Sequence, residues 1–403
     1  MLDVAIVGGG LCGLTLAHSL QAAGQVDWRL FESRPRLGGR VLTVKAQDGT
    51  PIDLGATWFW PSTQPAMTRL VQDLGLHSIE QIDDGRVLHL HDPNRTPEPV
   101  ALTAQLTPAL EASDPAQPGF VHGGARRVVG GMAAVIDAIA RPLPEARLRL
   151  DHQLEAIMDR GDHVELHVRH GDALYAMYAR RVVLALPPRV AMASVRFDPP
   201  LDDDLQSAMQ ATPTWMATAA KAGYAYRQAF WRNKGLTGNA WVTHAQAMLA
   251  EVFDACGPEA GDQTYPGAAL AGFAALSSHD RTRFTLGLSL LLESQVVQLF
   301  GQEAADPALL VEQVWHDWAT EPQTCSPTDV AEESWGGGHP SYGDPLLAEA
   351  HWQNKLFLGG SETARHGGGY LEGALSATAR LRRQLLSLRT TSATAEQAHG
   401  ATA

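Results

Sequence analysis

Hydrophobic and polar positions follow two different periods along this chain, and the switches between them divide it. "DVAIVGGG" is a short β-branched run stopped by glycine. In the following "LTLAHSLQAAG", Leu14, Ala17 and Leu20 recur at helical spacing until Gly24 closes the helix. "DWRLFES" then reads as a second strand ending in Glu32. Strand, helix and strand within one short unit predict a right-handed parallel crossover. Further on, "RLRLDHQLEAIMDRGDHVELHVRHGDALYAMYARRVVLALPPRV" alternates with period two around Gly-Asp turns. That pattern predicts an antiparallel meander returning to a buried strand at Val182 to Leu186. Residues 76–121, rich in Pro, Asp and His, read as loop, and 191–339 as a mixed region with a helix near "LLLESQVVQLFG". "KLFLGG" and the last helix return to the N-terminal style, and the tail "TTSATAEQAHGATA" is expected to be mobile.

These switches predict an α/β protein. A discontinuous Rossmann-like nucleotide-binding domain takes 1–75, 122–190 and 340–390. A mixed α+β substrate domain takes 76–121 and 191–339, and 391–403 form the tail. A length of 403 residues accommodates two such domains, and 45% hydrophobic with 19% charged residues is a globular composition.

Charge narrows the partners. A formal net charge of −13 works against sequence-blind binding to nucleic acid or to an anionic membrane, because both require a basic surface. Cys12, Cys256 and Cys325 are too few and too scattered for a disulfide framework and lack zinc-like spacing, so a reducing cytoplasm is expected and no metal. The N-terminal strand leaves no basic leader, and no stretch approaches the roughly 18 apolar residues of a membrane span.

The chemistry concentrates in glycine-rich turns. Gly8, Gly10 and Gly13 form G-x-G-x-x-G between a strand and a helix, with Glu32 closing the next strand. Amides at such a helix start hold a pyrophosphate, and the carboxylate accepts from ribose hydroxyls; a plain tight turn is the bland alternative. This motif does not separate nicotinamide from flavin. "RLGGR" favours flavin, because Gly38, Gly39 and Arg40 supply a second close approach and a fixed cation; otherwise that stretch is a surface turn. A second Gly-rich turn, "GGSETARHGGGYLEGAL", feeds the last helix, whose N-terminus carries free amides and partial positive charge.

Taken in order, "VAIVGGGLCGL", "ESRPRLGGRV", "IDLGATWFWPSTQPAMTRLVQDLGL", "RVVGGMAAVIDAIA", "VVLALPPR", "KAGYAYRQAFW" and "LFLGGSETARHGGGYLEGAL" resemble the flavin-dependent amine oxidases, the group that includes monoamine and polyamine oxidases. The resemblance spans nearly the whole chain. It implies FAD as cofactor, with Gly55, Ala56, Thr57, Glu362 and Leu371 joining the glycines, Glu32 and Arg40 around it. The helix beginning near Tyr370 would lie beneath the pyrimidine end of the ring, with Glu362 near the ribityl chain. Its stripe of Leu371, Ala374, Leu375, Thr378, Leu381 and Leu385 would dock on the sheet.

Three catalytic candidates follow from the same resemblance. Lys221 sits in an apolar strand ahead of Tyr226, Phe230 and Trp231, where a lysine is out of place unless it faces a cavity or an exposed edge. It would hold a water at the flavin N5 atom. Tyr370 would be one wall of an aromatic cage that favours a neutral amine. Trp335 and Tyr342 compete for the second wall, or are plain packing. "TCSP" around Cys325 does not match the covalent-linkage motif of some relatives, so FAD is expected to be non-covalent.

Two departures bear on substrate. Amino-acid oxidases of the superfamily place an Arg shortly after "DLG" to clamp a carboxylate; here Trp58 occupies that slot. Residues 76–121 are also a shorter insert than in monoamine oxidases, implying a less enclosed entrance. The expected reaction is oxidation of an amine by hydride transfer to flavin, with molecular oxygen as acceptor and peroxide as product. A flavin dehydrogenase or desaturase of a carbon skeleton, an L-amino-acid oxidase and a non-catalytic flavoprotein are the alternatives.

Overall fold

The computed structural model describes residues 1–24, 27–82, 85–101, 124–258, 265–333 and 339–400. Its residues group into two compact units, Met1–Gly39 with Ile136–Trp215 and Ser341–Ala403, and Arg40–Val135 with Met216–Pro340.

The first unit is built on the predicted crossover. Strand Leu2–Val7 pairs in parallel with Trp28–Phe31 on one side and with the end of Ala173–Leu184 on the other. Helix Leu11–Ala22 makes the connection. The meander appears as Gln153–Asp159, Val164–His170 and Ala173–Leu184 in antiparallel order, and Leu356–Leu358 adds in parallel at Val182 to Leu184. Val182, Val183 and Leu184 are therefore flanked on both edges and fully buried, as an uninterrupted apolar run requires.

The second unit holds a seven-stranded sheet in the order Leu310–Asp317, Ala220–Tyr226, Ala268–Ala274, Leu249–Asp254, Leu236–Val242, Arg86–Leu90, Glu98–Ala101. Its two faces differ. On one, Tyr224, Tyr226, Phe230 and Trp231 pack with Leu292, Val296 and Phe300 of helix Leu288–Phe300. On the other, Ile52 and Leu54 from the hairpin of Thr43–Lys45 and Pro51–Asp53 pack with Ala225, Phe253 and Ala271. Gly223 permits that approach, since a Cβ there would lie 2.6 Å from Ile52 Cγ2.

Four expectations need correction. Residues 40–75 lie in the second unit, because the hairpin buries its apolar residues on the seven-stranded sheet. Residues 191–215 lie in the first, because Leu205 and Met209 of helix Asp203–Ala211 join the core beneath Leu184 and Leu358. The segment read as loop contains strands Arg86–Leu90 and Glu98–Ala101, which pair with each other despite interrupting prolines; residues 102–123, which include the end of the short insert, lie outside the described residues. The last helix runs from Leu371 to Gly400, through most of the expected tail. Among the described residues no helix is long and apolar enough to cross a membrane.

Candidate active site

In the first unit each glycine of the N-terminal turn has a separate reason. Gly8 has φ +107°, and a Cβ on Gly13 would lie 2.0 Å from Gly8 O, so helix and strand could not pack as they do. Gly10 differs: its φ of −74° suits any residue, and its Cβ would meet no protein atom closer than 3.9 Å. Neither backbone nor packing demands glycine there. The open cradle before the uncapped start of helix Leu11–Ala22 fits a phosphate group approaching its amides.

The remaining nucleotide candidates collect around this turn. Glu32 is buried, and its carboxylate accepts from Gly9 N at 2.7 Å and Arg34 N at 2.9 Å, which fixes it at the end of its strand. Gly38 N donates to Gly9 O at 2.8 Å, and Gly39, at φ +56°, lies against Gly10, so "RLGGR" does fold onto the first turn. Arg36 donates to Gly39 O and braces it.

The second Gly-rich turn is compressed from several directions. Gly360, Gly367 and Gly369 have positive φ, and a Cβ on Gly368 would lie 2.4 Å from Tyr342 Cβ. Glu362 is fully buried and accepts from Ser361 Oγ at 2.9 Å. Ala374 N donates to Tyr370 O, which makes Tyr370 the residue that opens the last helix, with Leu371 its first member. That helix docks on helix Leu11–Ala22 as well as on the sheet. Thr378 and Thr15 hydroxyls meet at 2.8 Å, while a Cβ on Gly359, after the last strand, would lie 3.0 Å from Leu381.

Of the proposed cage walls, Trp335 lies outside the described residues. Tyr342 packs over the Gly-rich turn and donates to Pro213 O at 2.9 Å. Among the described residues Trp215 lies beside Tyr370, with ring centroids 6.1 Å apart. Sequence reasoning missed Trp215, which follows a helix at the end of a different segment and carries no motif.

In the second unit, Lys221 lies on an interior strand, paired on both sides. The exposed-edge alternative is thereby removed. The side chain is buried, and Nζ donates to Thr57 Oγ1 at 2.6 Å and Gly55 O at 2.8 Å. Three rings surround the ammonium, Phe273 at 4.4 Å, Trp58 at 5.4 Å and Phe253 at 5.5 Å from centroid to Nζ. Such rings stabilise a cation through their negative faces. Burial still wins, lowering the Lys221 pKa to about 8, with Asp53 and Glu251 pulling back by their charge.

A relay of hydrogen bonds holds this cluster. Trp58 Nε1 donates to Gln81 Oε1 at 2.8 Å; Gln81 Nε2 donates to Asp254 O, and Arg127 Nε to Gln81 Oε1. Arg127 also donates to Cys256 O, so its guanidinium stands behind Trp58. Arg40 contributes its carbonyl, which accepts from Ala56 N at 3.1 Å; a Cβ on Gly55 would lie 2.1 Å from that oxygen. Gly55, Thr57 and Lys221 are thus brought together, with Arg40 and Ala56 supporting the turn. Gln81, Phe253 and Phe273 were not anticipated.

Comparison with known proteins fits both halves. The model of the family described as flavin containing amine oxidoreductase matches residues 11–111 and 117–380. Flavin-containing amine oxidase B of Mus musculus is 24% identical over 475 residues, covering 95% of this chain and 86% of that protein. The A form of Equus caballus is 23% identical over 477 residues, covering 96% and 85%. Among solved structures, wild-type putrescine oxidase bound to putrescine superposes with a TM-score of 0.73 at 19% identity over 96% of this chain and 99% of that one. Cyclohexylamine oxidase from Brevibacterium oxydans IH-35A gives 0.73 at 18% identity, again over 96% and 99%. The chain belongs to the flavin containing amine oxidoreductase family, as an FAD-dependent enzyme acting on CH–NH2 or CH–NH groups.

Proposed function

We propose that the enzyme oxidises an amine lacking an α-carboxylate, releasing an imine or carbonyl product and hydrogen peroxide. FAD, when bound, supplies the redox chemistry, accepting a hydride from the carbon beside nitrogen and passing electrons to molecular oxygen. The observation that carries this reading is the burial of Lys221 within Trp58, Phe253 and Phe273.

Two of the three Lys221 N–H groups are taken by Gly55 O and Thr57 Oγ1; the third would be available to hold a water for the flavin once FAD is bound. The aromatic walls favour an amine in its neutral form, the form that gives up hydride. Trp58 stands where a carboxylate clamp would be needed, and Arg127 is engaged with Gln81 and Cys256. FAD is held without a covalent bond, since "TCSP" around Cys325 does not match the covalent-linkage motif of some relatives and the thiol is buried. The three free, buried cysteines suit a cytoplasmic protein.

The test is anaerobic mixing of the yellow enzyme with phenethylamine and with phenylalanine. The amine should bleach the flavin more than about a hundredfold faster, because a carboxylate buried without a cation costs several kcal/mol. Faster bleaching by the amino acid would overturn the assignment. Denaturation should release all the FAD into solution.

A further inference from the structure

Strand Trp28–Phe31 sends its side chains to alternate faces of the sheet in the first unit. On one face Arg147 lies over the Trp28 ring at 5.3 Å and donates to Gln21 Oε1 at 2.8 Å. Arg29 and Phe31 face the other way, and Arg149 on the neighbouring strand stands in register with Phe31. Phe31 belongs to the core on that side, and Tyr175 of the meander packs against the same core. His152 joins them, with its ring 6.3 Å from Phe31 and 6.0 Å from Tyr175, and it stacks on His170 at 4.3 Å with 12° between the planes. Burial raises the Tyr175 pKa, and Arg149 and Arg29 pull it back by their charge, so both cations lie within electrostatic reach of the hydroxyl.

The two cations stand unanswered in a chain where acids outnumber bases 44 to 31. Among the described residues neither the Arg29 nor the Arg149 side chain has a hydrogen-bond or ion-pair partner. Arg29 Nε is buried in that condition, which is costly for a donor unless a further group accepts from it. The carboxylates close by in sequence are engaged elsewhere, Glu32 with Gly9 N and Arg34 N, and Glu155 with Arg169.

We propose that Arg29, Arg149 and Tyr175 form an anion site that binds the phosphate group of a small molecule, either inorganic phosphate or a phosphomonoester. Two planar guanidinium forks and a hydroxyl offer donors from three separate strands. That set suits a tetrahedral oxyanion, whereas a single fork satisfies a carboxylate. His170, exposed at the end of the imidazole stack, offers a ring against which a flat substituent of a phosphomonoester can lie. None of the residues assigned above to FAD belongs to this set, and the inference is independent of which amine is oxidised.

The test is calorimetric titration of the FAD-saturated holoenzyme with inorganic phosphate, phenyl phosphate and benzoate, at an ionic strength held constant with chloride. Phosphate should bind saturably. Arg29→Gln and Arg149→Gln should each weaken it at least about tenfold, the scale of a lost charge-assisted fork, and Tyr175→Phe severalfold. The rate at which an amine bleaches the flavin should match the parent in all three variants. Tighter binding of phenyl phosphate assigns the site to a phosphomonoester, and equal binding assigns it to free phosphate. Because Arg29 is partly enclosed, Arg29→Lys, which keeps the cation and loses the fork, serves if Arg29→Gln does not fold, and it should retain only part of the affinity. No saturable phosphate binding above the chloride background would overturn the proposal, as would benzoate binding as tightly as phenyl phosphate. So would an unchanged phosphate affinity in Arg149→Gln together with a Tm lowered equally with and without phosphate, since the arginines would then only cover the apolar rim of the core.

Discussion

The two units solve their chemical problems with different parts of the chain. In the first unit the candidate site is made of backbone: Gly8, Gly10, Gly13 and Gly39 are defined by a φ angle, a forbidden Cβ or an open cradle, all within the first 39 residues. In the lysine-bearing unit side chains dominate: Thr57, Trp58, Phe253 and Phe273, from three separate stretches of the chain, gather around Lys221, with only the Gly55 carbonyl added by the backbone. A site made of consecutive backbone is visible as a motif. One made across strands is visible only once the strands are paired.

The largest expected effect breaks the first unit from within. Gly13→Ala and Gly10→Ala add the same methyl group to two positions three residues apart. At Gly13 it lies 2.0 Å from a backbone carbonyl that cannot give way, so folding should lose at least about 3 kcal/mol. At Gly10 it enters open space, and the FAD-stripped protein should melt like the parent while FAD binding weakens. Melting curves with and without FAD separate the two outcomes. An equal loss of stability in both variants would show that Gly10 is a packing residue.

Next in size is Lys221→Met, which keeps length and apolar contact but removes every donor. Turnover and reoxidation by oxygen should fall by one or more orders of magnitude, about the effect of losing a positioned polar group in a dry site, while FAD content survives. The pH profile sharpens the point. In the parent, kcat/KM for a monoamine should rise with pH as the neutral amine accumulates, and the rise should bend near 8, where Lys221 loses its proton. The variant should keep the rise and lose the bend. Parent-like rates would reduce Lys221 to a structural residue.

How much of this was legible in the sequence follows from the same contrast. The crossover, the meander and the position of Glu32 came from local periodicity, and the structure has them. Lys221 stands out because the other six residues of its strand are all apolar or glycine, and the structure buries it there. Residues 40–75 belong to the second unit and not, as expected, to the first, because which sheet the apolar stretch at 43–54 covers is decided by long-range packing of Ile52 and Leu54. Strands Arg86–Leu90 and Glu98–Ala101 were read as loop because His, Pro and Asp obscure their alternation; sheet pairing overrides that weak local preference. Gln81 and Phe273 carry no motif at all.

The smallest effect concerns the aromatic residues of the first unit, where Tyr342 was a candidate cage wall and Trp215 was not. Tyr342 donates its hydroxyl to Pro213 O, and its Cβ sits where Gly368 has no side chain, so it reads as a brace for the Gly-rich turn. Tyr342→Phe keeps the ring and deletes one hydrogen bond, which should cost about 1 kcal/mol and lower the Tm by roughly 2 °C. The rate at which an amine bleaches the flavin should stay within about twofold of the parent, on the scale of an effect outside the reacting geometry. Trp215→Phe should do the reverse, shifting amine KM severalfold with little change in Tm, because it trims the ring beside Tyr370. If Tyr342→Phe slows bleaching while Trp215→Phe leaves KM untouched, the roles of the two rings are exchanged, and the cage wall is the residue the sequence pointed to.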